Sequence, residues 1–291
     1  MLDALKQLVF HDIIGTIQKN EEAGNITVDD ARKLRGLTHR LYRHIYFHYE
    51  ELEDTMLGII GAMDEEVAKL KEQMTDVTVM KKADMDFYKG KLKGCPAVVV
   101  RSGIGKVNAA MCTQILADVY QVDAIINTGI AGSLNAQIDI GDIVLATDTL
   151  EHDMDAVAFG YPLGQIPRME VLSFPADEKL RSLAKRACEN VNPDVHVFEG
   201  RVVSGDQFIS DHKKKDWLVE NFAGYCTEME GAAIGHAAYL NGIPYLVIRA
   251  ISDKADDSAS MDYPTFEAKA IAHSVALLLE LCRMMAEEQA E

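Results

Sequence analysis

The chain has 291 residues, of which 48% are hydrophobic, and its formal net charge at pH 7 is −17. This length is sufficient to bury a large core, and the acidity argues against nucleic acid or anionic membranes as partners, because both are recognised through a basic surface. The five cysteines are scattered without paired spacing, which argues against a disulfide framework or a zinc site and indicates a reducing, cytoplasmic environment.

Residues 1–55 are predicted to form a helical hairpin outside the main domain. The second of its two helices begins with Thr27 as N-cap and Asp30 three residues later, a weak capping-box pattern. His44 and His48 have the i,i+4 spacing of metal ligands, but no third ligand is near, so we interpret them as part of an amphipathic helix and predict no metal or other cofactor. The early acidic residue and the missing cleavage-site pattern argue against a secretory leader. The first helix carries apolar residues at helical spacing: Leu2, Leu5, Leu8, Val9 and Ile13.

Residues 56–291 alternate apolar, strand-like runs with helical segments, as βαβ units do. Most of the runs are continuously apolar, which is typical of a sheet covered on both faces. We therefore predict an α/β domain with a twisted, mixed central sheet flanked by helices. The predicted strands are 57–60, 97–100, 124–127, 142–145, 201–203 and 245–248, and the predicted helices are 65–74, 106–119, 179–190, 229–240 and 266–288.

Acidic residues follow several predicted strands. Glu66 follows the first strand, Glu228 and Glu230 lie at a strand-to-helix junction, and Asp253 comes shortly after the last strand. Ligands of open α/β sheets bind beyond the carboxyl ends of strands, and a carboxylate there is costly unless it is paired or used. Arg249 offers a partner for one of them. Each glutamate taken alone is also compatible with a helix cap, but together the acids favour one shared pocket and an enzyme.

Two glycine-rich turns, 102–106 and 128–133, each follow a strand. Such turns bring backbone N–H groups close to an anion or a polar ligand. Their spacing matches neither a Walker A motif nor a dinucleotide-binding motif, so an ordinary tight turn is an equal alternative. His152 and Asp153 could act together as a base, but a loop histidine beside acids is more often a surface residue, and we interpret His152 in that way.

Five motifs, in the same order along the chain, resemble those of the 5′-methylthioadenosine/S-adenosylhomocysteine nucleosidases of the purine nucleoside phosphorylase superfamily. The resemblance extends from about residue 56 to the C-terminus. It implies hydrolysis of the N-glycosidic bond of an adenine thionucleoside to adenine and a 5-thioribose sugar, by a homodimer without a cofactor. Within the family, 5′-deoxyadenosine and futalosine-type substrates remain open. The motifs are GIIGAMDEEV at 58–67, SGIGK at 102–106, SGDQFI at 204–209, EMEGAA at 228–233 and RAISD at 249–253.

The resemblance also implies a role for individual residues. Glu66 would deprotonate the attacking water, Arg249 would orient it, and Asp253 would protonate adenine N7. The implied substrate-binding residues are Ser252 beside the acid, Glu230 on the ribose 2′- and 3′-hydroxyls, Met229 and Phe208 flanking sugar and base, Ile209 bonding adenine through its backbone, Ser102 near the water, Glu228, Phe266 in the pocket wall, and Phe159 reaching across from a second subunit.

The proposed chemistry fits these residue types. Cleavage of a glycosidic bond to adenine builds positive charge on the ribose and negative charge on the base, so one carboxylate must accept a proton from water and another carboxyl must donate one. An aspartic acid such as Asp253 can donate to N7 while it accepts from the 6-amino group, which favours a 6-aminopurine. A carboxylate such as Glu230 on the sugar hydroxyls places negative charge beside the developing cation.

One turn departs from the family pattern. Ile130 and Ser133 stand where the family has a small hydroxyl residue and a glycine, which affects the shape of the pocket.

Two alternative functions are open. A nucleoside phosphorylase of the same fold needs a concentrated anion site, and Glu66 at the attack position would repel phosphate. A nucleoside-binding protein that has lost catalysis would have no need of both Glu66 and Asp253.

Overall fold

The computed structural model describes residues 2–27, 30–31, 34, 38, 55–255 and 259–290. Helix α1 spans Leu2–Glu22 and ends just before Gly24, which has a φ of 71°. The hydroxyl of Thr27 accepts the Asp30 N–H at 3.1 Å and lies 2.6 Å from the Asp30 carboxylate. The predicted N-cap is therefore confirmed, whereas His44 and His48 lie outside the described residues.

The main domain consists of a ten-stranded sheet with helices on both faces. Its strands are β1 Leu57–Gly61, β2 Met74–Lys82, β3 Met85–Leu92, β4 Cys95–Arg101, β5 Ala124–Ser133, β6 Ile143–Glu151, β7 Phe174–Pro175, β8 Val197–Ser204, β9 Cys226–Glu228 and β10 Tyr245–Asp253. The described helices are α2 Asp64–Glu72, α3 Lys106–Ile115 (continued by a π-helical turn, Leu116–Tyr120), α4 Glu178–Val191, α5 His212–Phe222, α6 Gly231–Asn241 and α7 Ala259–Ala290.

The sheet has the strand order β10-β6-β8-β9-β5-β1-β4-β3-β2, and β7 pairs with β6. Strand β10 also pairs with β5, so β5, β10, β6, β8 and β9 close into a ring. Apart from β7, the remaining strands β1, β4, β3 and β2 extend from β5 as an open sheet. Because β1, β4, β5 and β10 run parallel, their carboxyl ends meet at one edge. The predicted mixed sheet flanked by helices is confirmed.

Alternate residues of the central strands face two different cores. In β1, Leu57 and Ile59 pack with α7 residues such as Leu277, whereas Ile60 packs on the opposite face with residues of α3 and α6. All of these side chains are fully buried, and each contributes about 1.5–3 kcal/mol by leaving water. The sheet is therefore fixed from both sides, which gives the residues at the ends of its strands a rigid base.

The hairpin formed by β2 and β3 was missed by the sequence prediction. Helix α2 ends at Glu72, and Met74, predicted as helical, begins β2 instead. All residues of β2 except Met74 are exposed. The strand therefore lacks the alternation of buried apolar and exposed polar residues by which a strand is predicted. Strands β7 and β9, with two and three residues, are too short to produce a pattern. None of the helices in the described part of the chain is long and apolar enough to cross a bilayer.

Candidate active site

A cavity of about 530 Å³ opens at the carboxyl ends of β1, β5, β9 and β10. It brings together seven of the predicted site residues: Glu66, Phe208, Glu228, Met229, Glu230, Ser252 and Asp253. The sequence prediction missed further wall residues, namely Ala62, Met63, Ile104, Ala131, Gly132 and Thr227. Thr227 precedes one predicted motif and the others lie inside predicted motifs or the glycine-rich segment 128–133, so their position at a strand end is the signal that points to them.

Glu66 is held at the entrance of α2, directly after β1. Its Oε2 accepts the N–H groups of Ala62 at 2.7 Å and Met63 at 3.0 Å, and its Oε1 accepts the N–H of Ile130 at 3.2 Å. Burial raises the pKa of Glu66 above its usual value, although Arg249 and the three N–H donors oppose the shift. A fixed carboxylate with a raised pKa is suited to accept a proton from water.

Gly129 of β5 makes room for this carboxylate. A Cβ at Gly129 would lie 2.5 Å from Glu66 Oε1 and 3.1 Å from Arg249 Nη1. The segment 128–133, predicted as a turn after a strand, is instead the end of β5, and its Gly129 allows the close approach of two charged side chains to the strand.

Arg249 is buried and paired within the protein. Its Nη2 donates to Glu228 Oε2 and to Asn127 Oδ1, and Asn127 in turn donates through Nδ2 to the Ile60 carbonyl at 3.0 Å. Burial alone would lower the pKa of Arg249, but Glu228 and Glu66 raise it overall. Asn127 was missed by the sequence analysis, although an amide inside an otherwise apolar strand is a recognisable signal.

The Glu228 carboxylate is occupied by donors from the protein. Besides Arg249, it accepts the Ser204 hydroxyl and the N–H groups of Glu230 at 3.1 Å and Gly231 at 2.8 Å. Burial acts to raise the pKa of Glu228, but these donors, led by Arg249, lower it overall. We therefore interpret Glu228 as the group that orders the junction between β9 and α6, on the wall of the cavity.

Glu230 and Asp253 are both buried at the cavity. Glu230 Oε1 accepts the N–H of Gly105 at 2.7 Å, and burial together with the charge of Glu228 raises the pKa of Glu230 to about 8. Asp253 is 2% exposed, accepts the Ala255 N–H at 2.8 Å, and receives the Ser252 hydroxyl at 2.9 Å. A register shift between Ile251 and Asp253, at the end of β10, accompanies this placement.

Other predicted site residues lie outside the cavity wall. Among the described residues, Ser102, Ile209, Arg249, Phe159 and Phe266 do not line it. The Ser102 hydroxyl donates to the Gly103 carbonyl at 2.8 Å, Ile209 is buried, and Phe159 is 85% exposed. Arg249 reaches the site electrostatically, through Glu66 and Glu228.

The structure contradicts the interpretation of His152 as a surface residue, and it shows where Ile130 and Ser133 lie. His152, interpreted as a surface residue, is buried beside Gly205, because the loop after β6 folds under the loop after β8. Ile130 lines the cavity, whereas Ser133 is buried and donates to the Asn135 carbonyl at 2.8 Å. The departure from the family pattern therefore changes the cavity wall through Ile130.

Within the described residues, no three His, Cys, Asp or Glu side chains are grouped to hold a metal ion.

Comparison with known proteins is consistent with this geometry. The sequence profile of the phosphorylase superfamily matches residues 56–283, which assigns the class of the protein. A 5′-methylthioadenosine/S-adenosylhomocysteine nucleosidase of Exiguobacterium sp. is 40% identical over 230 residues, covering 79% of this chain and 98% of the relative. The chain belongs to this nucleosidase family of the phosphorylase superfamily, as its motifs predicted.

Two solved structures extend the comparison. The structure of the nucleosidase from Colwellia psychrerythraea, in complex with adenine, has a TM-score of 0.76 and 37% identity, and covers 79% of this chain and 95% of that one. The structure of futalosine hydrolase from Helicobacter pylori has a TM-score of 0.74 and 32% identity, and covers 78% of this chain and 97% of that one.

Proposed function

We propose that this chain hydrolyses the N-glycosidic bond of 5′-methylthioadenosine and S-adenosylhomocysteine, releasing adenine and the 5-thioribose sugar. The observation that carries the proposal is the pairing, in one cavity, of the fixed carboxylate of Glu66 with the Ser252–Asp253 pair. Cleavage of a glycosidic bond needs one carboxylate as a base and one carboxyl as an acid. The names of the relatives support the choice of substrate.

The mechanism assigns each step to a side chain of the cavity. Glu66 accepts a proton from the attacking water, and Asp253, held by Ser252, donates a proton to adenine N7 as the bond breaks. Glu230 binds the ribose 2′- and 3′-hydroxyls and, in its ionised form, stabilises the positive charge that develops on the sugar. Met229 and Phe208 supply the apolar contact surface for sugar and base.

The geometry favours hydrolysis over phosphorolysis. Phosphate needs donors that are free to bind it, ideally the two-pronged contact of an arginine. The Arg249 guanidinium is buried, pairs with Glu228 and Asn127, and lies behind the cavity wall. Glu66 lines the cavity and would repel a phosphate anion there.

The first experiment follows adenine and the sugar product from 5′-methylthioadenosine in phosphate-free buffer. We expect adenine and free methylthioribose, whereas activity that requires phosphate and yields the sugar 1-phosphate would contradict the proposal. Parallel reactions with S-adenosylhomocysteine, 5′-deoxyadenosine and futalosine define the preferred 5′ substituent.

Substitution of Asp253 tests its role as the general acid. Asp253→Asn should still bind adenine nucleosides but lose turnover by about 10²–10⁴-fold, because it removes the general acid. Asp118→Asn, at an exposed position of the π-helical turn that continues α3, is the matched control. Turnover of the Asp253→Asn variant near that of the control would remove Asp253 from the mechanism.

We further propose that the chain acts as a homodimer in which an apolar face is covered. Ile104, Val107 and Met111 are exposed at helical spacing along α3 and the loop before it, and Val157 and Phe159 are exposed in the 3-10 turn Val157–Phe159. Large apolar side chains exposed together along one helix are typical of a protein interface. Val107→Glu should shift the mass measured by light scattering from two chains to one, and an unchanged dimer would contradict this assignment.

We also propose that the protein is cytoplasmic, that it acts in methionine salvage, and that residues 1–55 form a helical hairpin extension outside the nucleosidase domain. Five buried free thiols suit a reducing compartment, and the methylthioribose product would feed the recovery of methionine. The superfamily match begins at residue 56, which supports a separate nucleosidase domain, 56–291. If the extension packs as a hairpin on the main body or on the dimer, its deletion should change the melting temperature or the mass in solution.

A further inference from the structure

Three loops at the mouth of the cavity are joined by ion pairs and hydrogen bonds that the mechanism above does not use. They follow β4, β6 and β8. The Lys106 Nζ lies 2.7 Å from Asp153 Oδ1 and 3.0 Å from Glu151 Oε2. The backbone N–H of Lys106 donates to Asp206 Oδ1 at 2.9 Å, and the N–H of Asp206 donates to Asp153 Oδ2 at 3.0 Å. Asp153 therefore links the other two loops to each other.

This network lies next to the contact that holds Glu230. The residue before Lys106 is Gly105, whose N–H donates to Glu230 Oε1 at 2.7 Å. Gly105 has a φ of 95°, and a Cβ there would lie 3.0 Å from Asp206 Oδ1. Asp206 is thus packed against the glycine that carries the donor. A shift of Lys106 or Asp206 would therefore displace the Gly105 N–H relative to Glu230.

We propose that Lys106, Asp153 and Asp206 are positioning residues that hold the Gly105 N–H on Glu230 and thereby fix the carboxylate for the sugar hydroxyls. The inference rests on the proposed function, which assigns Glu230 to the ribose. The Lys106 side chain is 19% exposed and its partner Asp153 is 17% exposed. Charge-assisted hydrogen bonds shielded in this way hold geometry better than a fully exposed pair does.

A network that merely ties loops together would affect all substrates alike. A network that acts through Glu230 affects only substrates that carry the sugar hydroxyls. The experiment therefore compares 5′-methylthioadenosine with its 2′,3′-dideoxy analogue, which offers Glu230 no hydroxyl. The variants are Lys106→Met, Lys106→Arg and Asp206→Ala, and Lys185→Met is the control because it removes the Lys185–Glu199 pair far from the cavity.

The expected result is a split between the two substrates. Lys106→Met and Asp206→Ala should raise KM for 5′-methylthioadenosine about tenfold, the size of one lost charge-assisted hydrogen bond. KM for the dideoxy analogue should change less than about twofold, and Lys106→Arg should recover most of the loss because it keeps the positive charge. Lys185→Met should match the wild type on both substrates.

Other outcomes overturn the inference. Equal changes for both substrates, or no change for either, would mean that the network does not act through Glu230. If Lys106→Met fails to fold, as shown by its melting curve, Asp206→Ala on the exposed loop decides the question with the same two substrates. A wild-type protein that releases no adenine from either nucleoside would contradict the proposed function, and the inference that rests on it.

Discussion

The most informative single substitution is Gly129→Ala, because it displaces the carboxylate of Glu66, the proposed general base, without altering any charged group. The added Cβ would lie 2.5 Å from Glu66 Oε1, and ordinary contact begins at 3.4 Å, so the carboxylate must retreat by about 0.9 Å. That movement stretches its 3.2 Å bond from the Ile130 N–H beyond hydrogen-bond range. A misplacement of about 1 Å costs roughly 100-fold in rate, so kcat should fall by about that factor.

The stability of Gly129→Ala should change much less than its activity. The atoms that must yield are the ends of two side chains, Glu66 and Arg249, so we expect a loss of about 1–2 kcal/mol in the free energy of unfolding. The assay is adenine release from 5′-methylthioadenosine, with urea unfolding and adenine binding measured on the same samples. Adenine binding should persist because Asp253 and Ser252 belong to another strand.

Gly58→Ala in β1 is the matched control for this substitution. Its Cβ would lie 3.0 Å from Leu116 Cδ1, which tests overpacking of the same sheet away from Glu66. A Gly129→Ala variant that keeps kcat within threefold of the wild type would refute the reasoning. A Gly58→Ala variant that is equally inactive would show that general packing, and not the position of Glu66, sets the rate.

Three further predictions concern the buried charges. The pKa of Glu230 is about 8 in the folded state against an ordinary 4.5, so the protein loses stability as pH rises from about 4.5 to 8. Urea unfolding at pH 5 and pH 9 should show that Glu230→Gln removes roughly 3–5 kcal/mol of this pH dependence, and the same pH dependence in both proteins would contradict the prediction. Arg249→Met should destabilise the fold by about 3–5 kcal/mol because it leaves the Glu228 carboxylate buried without its cation, and adding Glu228→Gln should restore part of that loss; a double variant less stable than the single one would count against the pairing. The raised pKa of Glu66 predicts that kcat/KM declines as pH falls toward the raised value, since the protonated acid cannot accept a proton from water, and a profile that is flat down to the ordinary carboxyl range would exclude Glu66 as the base.

The sequence was sufficient to predict the central strands and the acids at their ends. Strands β1, β5 and β10 are buried along their whole length and begin with apolar runs, and Glu66, Glu230 and Asp253 stand at or just beyond strand ends, where burial makes a carboxylate conspicuous. Because parallel strands share one edge, the order of these residues along the chain was enough to place them in a common cavity.

The contacts among the acids could not be predicted in the same way. Whether Arg249 pairs with Glu66 or with Glu228 depends on the register of β10 against β5, and no local pattern reports that register. Asn127 was missed because it lies inside an apolar run, and His152 was assigned to the surface because neighbouring acids surround it in sequence. Both errors concern polar groups whose burial is decided by elements far away in the chain.

The closed ring of β5, β10, β6, β8 and β9 has a consequence for how the site comes into being. Strand β10 lies between β5 and β6, so the ring closes only when nearly all of the domain has left the ribosome. Until then, the carboxylates of Glu66 and Glu228 lack the cation of Arg249. Pairings between segments more than a hundred residues apart form slowly, so catalytic competence should appear in the last folding phase, together with the final burial of the core.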